Sequence, residues 1–255
     1  MHACLARWRA DRPDHGAEAV KPVILALQFM TRLPLPQVRA DAADFAAAMR
    51  WFPLAGLVVG AAVWAGVWLG ALTDPWVGAL LGVGAWAAIT GALHLDGLGD
   101  VADAAGAGHR DPGRVSEVLA DPHIGSFGVV VIALQIAAKL VLLYLLAQRG
   151  GGWVLPAIAC AARIGPLVWT LILPPLHEGL GSRFAAATRW RDVAIWAVLG
   201  AIMACFVPAL AMAVPVIWLW GPWVRSRLGG ISGDSHGAGI ETTETALLLA
   251  WVTLS

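Results

Sequence analysis

The 255-residue chain is 59% hydrophobic and 13% charged, and its formal net charge at pH 7 is zero. A soluble domain carries about 25% charged and 45–50% apolar residues, so this composition indicates an integral membrane protein. The 14 tryptophans fit the aromatic belts that form at lipid–water boundaries. Without a basic surplus, the chain gives no reason to expect a nucleic-acid partner.

The N-terminal residues predict a tail followed by a short helix. Residues 1–20 have basic side chains but no apolar stretch behind them, so we predict a mobile tail rather than a signal peptide. Residues 21–255 are predicted to form one polytopic catalytic domain. Its first apolar stretch, 22–30, is too short to cross a bilayer and predicts an interfacial or re-entrant helix.

Six longer apolar segments follow, each close to the ~20 residues that a transmembrane helix needs. They are 52–72, 76–94, 127–147, 153–175, 192–207 and 208–224. The last two form one run in which Pro208 and Pro215 are expected to break the helix. A final segment, 244–255, is short for a span. The predicted fold is therefore all-α and polytopic, with six to seven transmembrane helices.

The distribution of basic residues predicts the orientation. If the N-terminus is cytoplasmic, most of the 17 Lys and Arg residues fall on the cytoplasmic side, as the positive-inside rule requires. The polar, glycine- and aspartate-rich loops 95–126 and 225–243 then share that side. We therefore expect both loops to contribute to one site.

Three carboxylates follow the second apolar segment, in "HLDGLGDVADA" (94–104). On a helix, Asp96, Asp100 and Asp103 share an arc of about 60°. Carboxylates this close repel one another unless a cation is present, and hard oxygen ligands suit Mg²⁺ bound to a substrate phosphate. A solvated helix end is the alternative. We favour the metal site because ionisable residues beside a span are usually functional.

The stretch "RSRLGGISGDSHGAGIETTE" (225–244) is predicted to be a flexible loop that presents backbone amides to phosphate. It lacks the GxxxxGK[ST] pattern of a Walker motif. Asp234 is a candidate fourth metal ligand or general base. His236 is a candidate base, although a single loop histidine is often merely solvated.

Two further features suggest anion binding. Gly125 and Ser126, in "DPHIGSFGVV" (121–130), begin a predicted helix, where an anion is favoured; a glycine-assisted turn is the alternative. Lys139 and Arg163 lie within predicted spans and need partners there. Those partners are either carboxylates of the protein or a substrate phosphate.

Four stretches resemble the cobalamin synthase family, the adenosylcobinamide-GDP ribazoletransferases. They are "FMTRLPLP" (29–36) with "WFPLAGLVVG" (51–60), "HLDGLGDVADA", "DPHIGSFGVV" and "GGISGDSHGAG" (229–239). The resemblance covers the chain from about residue 22; Gly99 stands where alanine is more usual. It implies a bacterial or archaeal membrane enzyme that uses Mg²⁺ to join adenosylcobinamide-GDP to α-ribazole or its 5′-phosphate, releasing GMP.

The residues and the resemblance together define the candidate site. The predicted metal ligands are Asp96, Asp100, Asp103 and Asp234. The candidate bases are Asp103, Asp234 and His236, with Asp234 favoured. The predicted substrate-binding residues are Arg32, Lys139, Arg163, Gly125, Ser126, Gly230 and Gly233. The expected location is the bacterial inner membrane, with the site facing the cytoplasm.

Two other functions compete with this one. CDP-alcohol phosphatidyltransferases use spaced aspartates for similar chemistry, but their motif requires DGxxAR, whereas "LGD" follows Asp96-Gly97 here. An ion-coupled transporter would use Asp96, Lys139 and Arg163 as a relay. Transporters favour inverted repeats with a midplane site, and no such repeat is evident in this sequence.

Overall fold

The computed structural model describes residues 15–108, 112–177 and 187–254. About 82% of these described residues are helical. Within the described ranges, extended pairing is limited to one isolated parallel bridge between Pro175 and Ile231, so the all-α prediction is confirmed. Residues 1–14 of the predicted tail lie outside the described ranges. Helix α1 already begins at His15, so residues 15–20 are helical.

The α-helices of the described ranges are numbered in chain order. They are α1 His15–Met30, α2 Ala42–Ala48, α3 Phe52–Ala71, α4 Pro75–Thr90, α5 Leu93–Gly108, α6 Val115–Leu119, α7 Ser126–Gln148, α8 Leu155–Ala162, α9 Ile164–Ile172, α10 Trp190–Ala204, α11 Ala213–Leu228 and α12 Gly233–Leu254. Short 3-10 turns occupy Met49–Trp51, Pro112–Arg114, Gly151–Val154 and Pro208–Met212.

Several of these helices have the length and composition of membrane spans. In the described ranges, three continuous helical segments qualify: Ala42–Ala71, Ser126–Gln148 and Gly151–Ile172. The bent pair α4 and α5 adds a fourth if it counts as one span. Large apolar side chains such as Trp68, Leu134 and Leu219 are exposed, as expected for a surface that meets lipid. The protein is therefore a polytopic helical membrane protein, while the number of six to seven spans remains a prediction.

Glycines allow helix α3 to pack closely on helix α8. Gly56 and Gly60 are four residues apart on α3, a spacing that lets two helix backbones approach. A Cβ atom on Gly56 would lie 2.8 Å from the Cα of Cys160, and one on Gly60 would lie 2.5 Å from the Cα of Pro156. These distances are too short for a side chain, so the α3–α8 contact requires glycine.

A sharp bend separates helix α4 from the helix that carries the aspartates. Helix α4 ends at Gly91, which has a left-handed backbone conformation (φ 62°), and Ala92 follows with φ 57°. Helix α5 then leaves at 86° to α4. The predicted span 76–94 therefore stops at Thr90, and the aspartates lie on a separate helix beyond the bend.

The predicted loops are largely helical. Helix α11 continues to Leu228, and the 22-residue helix α12 begins at Gly233, so only 229–232 connects them. The glycines of this motif serve packing: a Cβ atom on Gly237 would lie 3.2 Å from the Cα of His94. The predictions of a flexible loop at 225–243 and of a short terminal segment at 244–255 were wrong. The low helix propensity of glycine was outweighed by the stabilising contact between α5 and α12, which the small glycines permit.

Replacing Gly60 by alanine should destabilise the protein, because the added methyl group meets the backbone of α8. Gly84→Ala is the matched control, since a Cβ atom on Gly84 meets nothing within 4 Å. Alanine there should be neutral or stabilise by up to about 1 kcal/mol. Thermal unfolding in detergent measures both variants. Equal unfolding temperatures for the two would contradict the proposed α3–α8 contact.

Candidate active site

The candidate site forms where helix α5 touches the first turn of helix α12. A Cβ atom on Gly97 would lie 2.8 Å from the carbonyl oxygen of Asp234 and 2.9 Å from its Cα. The missing side chain thus allows the two backbones to meet. As a result, Asp234 joins the aspartates of α5, although more than 130 residues separate them in the sequence. This confirms the expectation that the two motifs meet.

The carboxylates of this cluster oppose one another's ionisation. Asp100 lies beyond the bend and outside the apolar segments. Burial, together with the charges of Asp96, Asp234 and Asp103, raises the pKa of Asp100 to about 6. Burial also raises the pKa of Asp234, against hydrogen bonds that lower it. A cluster with these properties attracts a cation, which relieves the repulsion.

Asp103 has a structural role that the sequence did not reveal. Its carboxylate accepts hydrogen bonds from the backbone amides of Gly125 (2.7 Å) and Gly128 (3.0 Å). It therefore caps helix α7, whose N-cap residue Gly125 has no side chain for this purpose. The Gly125 amide predicted to bind phosphate already has an acceptor, and each carboxylate oxygen of Asp103 already accepts one backbone amide.

The predicted set of four metal ligands is not assembled as such. In the described ranges, no group of three or more His, Cys, Asp and Glu side chains has the arrangement of a metal centre. Mg²⁺, however, is usually bound through one or two carboxylates together with water and substrate phosphates. Asp96, Asp100 and Asp234 supply hard oxygen donors of this kind. The donor chemistry thus fits Mg²⁺ bound jointly with a phosphate-bearing substrate.

A cavity of about 940 Å³ lies between α5, α6, the start of α7 and α11, and Asp103 is the residue of the acidic cluster that lines it. Arg114 and Arg227 bring positive charge to its wall, and Gly125 and Ser126 contribute to it as well. Trp220 and Trp223 also line it, with their rings stacked at a centroid distance of 4.9 Å. Guanidinium groups suit phosphates, and aromatic faces suit planar bases.

The same cavity contains an aspartate–histidine pair that the sequence analysis passed over. The Nδ1 atom of His123 lies 2.7 Å from the Oδ1 atom of Asp121, and both side chains are exposed. The signal was present in "DPHIGSFGVV", where a histidine follows Asp-Pro.

His236 is buried and belongs to a helix, which corrects its predicted position in a loop. Its ring stacks near Trp169 at a centroid distance of 6.1 Å, and its Nε2 atom lies 3.2 Å from the hydroxyl oxygen of Thr170. His236, Gly233 and Asp234 line a second cavity of about 120 Å³. This enclosed position is poor for a base that must exchange protons with solvent.

Lys139 and Arg163 are neutralised by glutamates of helix α12. Lys139 Nζ lies 2.7 Å from Glu241 and 2.8 Å from Glu244, and Arg163 Nη1 lies 2.7 Å from Glu244. Of the two predicted kinds of partner, carboxylates of the protein and a substrate phosphate, the structure shows the carboxylates, but the sequence did not identify these glutamates. The i,i+3 spacing of the two acids in "IETTE" was the available signal. The geometry does not support a substrate-binding role for either cation.

Two other predicted substrate-binding residues have packing roles. The Arg32 amide donates to the carbonyl of Ile89 (2.7 Å), and the Arg32 side chain lies over Gly91. Gly230 packs against the backbone of 174–176, where a Cβ atom would lie 2.8 Å from the carbonyl oxygen of Pro174. Arg32 therefore braces the bend before α5, and Gly230 supports the short connection before α12.

The fold and the site define a polytopic membrane protein with an acidic centre beside a large, partly cationic cavity. The family model described as cobalamin-5-phosphate synthase matches residues 22–252, and the chain belongs to this family. It is thus an enzyme, a transferase of cobalamin biosynthesis.

Curated relatives cover nearly the whole chain. The adenosylcobinamide-GDP ribazoletransferase of Novosphingobium aromaticivorans is 55% identical over 89% of this chain and 94% of the relative. The enzymes of the same name from Thiobacillus denitrificans and Laribacter hongkongensis are 52% and 50% identical, over 92% and 90% of this chain and 97% and 96% of their own lengths. No solved structure matches the chain.

The raised pKa of Asp100 predicts a pH-dependent stability in the absence of divalent cations. Because this pKa exceeds that of an unfolded carboxyl group, protonation stabilises the folded protein, and this contribution is lost as the pH rises through about 6. With EDTA present, the unfolding temperature should fall between about pH 4 and about pH 6 and then level off.

Asp100→Asn should weaken this dependence, whereas Asp74→Asn should retain it. Asp74 caps helix α4 by accepting from the Trp76 amide, and asparagine caps equally well. An Asp100→Asn profile identical to that of the wild type would contradict the proposed charge cluster.

Proposed function

We propose that this enzyme joins adenosylcobinamide-GDP to α-ribazole or its 5′-phosphate and releases GMP. A hydroxyl group of the ribazole attacks the diphosphate, and GMP is the leaving group. The supporting observation is the contact of Gly97 with Asp234, which gathers carboxylates from two distant motifs. Asp103 of the same cluster lines a cavity that also contains Arg114 and Arg227. The names of the relatives support the identity of the substrates.

Charge neutralisation and positioning dominate phosphoryl transfer. Mg²⁺, held by Asp96 and Asp100 with Asp234 as a further donor, would neutralise the diphosphate and the charge that develops on GMP. Arg114 and Arg227 are placed to bind phosphate oxygens in the large cavity.

Trp220 and Trp223 offer stacking surfaces for a planar base of either substrate. The cavity thus supplies an electrostatic component and an aromatic component. Both are appropriate for a nucleotide-bearing substrate.

The competing functions receive less support. The CDP-alcohol alternative still lacks the Ala-Arg of its motif. The transporter alternative needs unpaired ionisable groups in mid-membrane, but Lys139 and Arg163 are paired with Glu241 and Glu244. The acids that remain for chemistry gather at one end of α5 and α12.

The proposed reaction is tested by GMP release from adenosylcobinamide-GDP in detergent. Release should require both α-ribazole (or its 5′-phosphate) and Mg²⁺, and EDTA should abolish it. Asp96→Asn and Asp100→Asn should each lower turnover by about 10³-fold, the scale of losing a main electrostatic contributor. Asp74→Asn, far from the cluster in sequence, should retain turnover. GMP release without the ribazole, or unchanged turnover in both cluster variants, would refute the proposed function.

We also propose that the protein lies in the bacterial inner membrane with its site facing the cytoplasm, as the Lys and Arg distribution suggests. In a chain without Cys4, Cys160 and Cys205, cysteines at the exposed positions Glu117 and Ser226 should resist a membrane-impermeant thiol reagent in intact cells. A cysteine at Thr73, in the exposed α3–α4 turn, should react. The opposite labelling pattern would reverse the topology.

A further inference from the structure

The pair formed by Asp121 and His123 has the geometry of an oriented base. One carboxylate oxygen of Asp121 lies 2.7 Å from Nδ1 of the His123 ring and accepts from the His123 backbone amide at 3.0 Å. Asp121 therefore fixes both the backbone and the ring. With Nδ1 held as the donor, the second ring nitrogen, Nε2, is the acceptor that can take a proton.

Both residues line the 940 Å³ cavity and remain open to solvent. The His123 side chain is 87% exposed, so a substrate hydroxyl can approach the ring and the ring can exchange its proton with water. Residue 123 is also only two positions from Gly125, which Asp103 attaches to helix α5. The histidine is thus close in sequence to a fixed point of the site.

The bases predicted from the sequence are less suitable. Both carboxylate oxygens of Asp103 accept backbone amides. His236 is enclosed beside Trp169 and Thr170. Asp234 belongs to the acidic cluster, where its charge is needed to attract a cation.

We propose that His123, oriented by Asp121, is the general base that activates the hydroxyl group of the ribazole substrate. This inference rests on the proposed function. His123 Nε2 takes the hydroxyl proton as the hydroxyl oxygen forms a bond to the phosphorus atom on the cobinamide side of the diphosphate. The bond from that phosphorus to the bridging oxygen breaks, and its electron pair leaves with GMP. The proton passes from His123 to solvent.

The charges around the pair are compatible with this role. Hydrogen bonding from His123 lowers the pKa of Asp121, so the carboxylate stays ionised at neutral pH and stabilises the protonated imidazole. The other charged groups that line the cavity are Asp103 from α5, Arg114 from the preceding turn and Arg227 from α11. The two arginines are placed to bind phosphate rather than to accept the proton.

Chemical rescue tests the role of His123. His123→Ala should lower kcat by about 10²–10⁴-fold, the usual contribution of a general base. It should leave the binding of adenosylcobinamide-GDP unchanged. Added imidazole should restore part of the activity, because the position is open to solvent. Asp100→Asn is the matched control: it is also strongly impaired, but imidazole should not restore it.

Two more variants separate chemistry from structure. His123→Gln covers the case in which the alanine variant fails to fold, and it should lose the ascending limb of the kcat/KM pH profile that a general base produces. Asp121→Asn keeps a capping oxygen but loses the charge. It should lower kcat less than His123→Gln does and shift the same limb.

The outcomes distinguish the two proposals. If the wild-type enzyme fails to release GMP when a ribazole is added, the proposed function fails and this inference fails with it. If the wild-type enzyme is active but His123→Ala or His123→Gln retains its kcat and pH profile, only the inference is overturned. Loss of adenosylcobinamide-GDP binding in a folded variant, without imidazole rescue, would also overturn it.

Discussion

The architecture of this enzyme depends on one buried group of charges. Glu244 accepts from both Lys139 on α7 and Arg163 at the junction of α8 and α9, while Glu241 contacts the same lysine. The Lys139 ammonium also lies 3.8 Å from the centre of the Trp86 ring, which connects α4 to the group. Separating such partners leaves an uncompensated buried charge, at a penalty of about 3–5 kcal/mol. Helix α12 is therefore held in one register against its neighbours.

The register of helix α12 determines where the acidic cluster forms. With Glu241 and Glu244 fixed, the first two turns of α12 lie along α5, where Asp234 meets Gly97 and Gly237 meets His94. Gly97 admits the Asp234 backbone, and Gly237 admits the backbone of His94. Asp103 attaches α5 in turn to the start of α7. The acidic cluster is thus located by packing and ion pairs that take no part in the proposed chemistry.

Sequence reasoning succeeded where a segment's environment can be inferred from the segment itself. The spans 52–72 and 127–147 match α3 and α7 within one residue at each end, because twenty apolar residues need lipid whatever their neighbours are. Sequence reasoning failed where contact with a distant part of the chain determines the structure or the role of a residue. The 229–239 motif has the composition of a loop, but contact with α5 makes most of it helical. Glu244 was overlooked because its partners lie 105 and 81 residues away in the sequence. His123 was overlooked because its proposed role depends on the cavity that it lines.

The bend of 86° between α4 and α5 separates an apolar helix from an acidic one. A straight continuation of α4 would carry the aspartates deeper into the apolar layer or straight out from it. Instead, the left-handed residues Gly91 and Ala92 turn the acidic helix aside. The acidic helix therefore runs across the direction of α4 instead of continuing it. Helix α4 can thus keep its exposed apolar side chains, such as Leu80, for lipid, while α5 carries the carboxylates in a different direction.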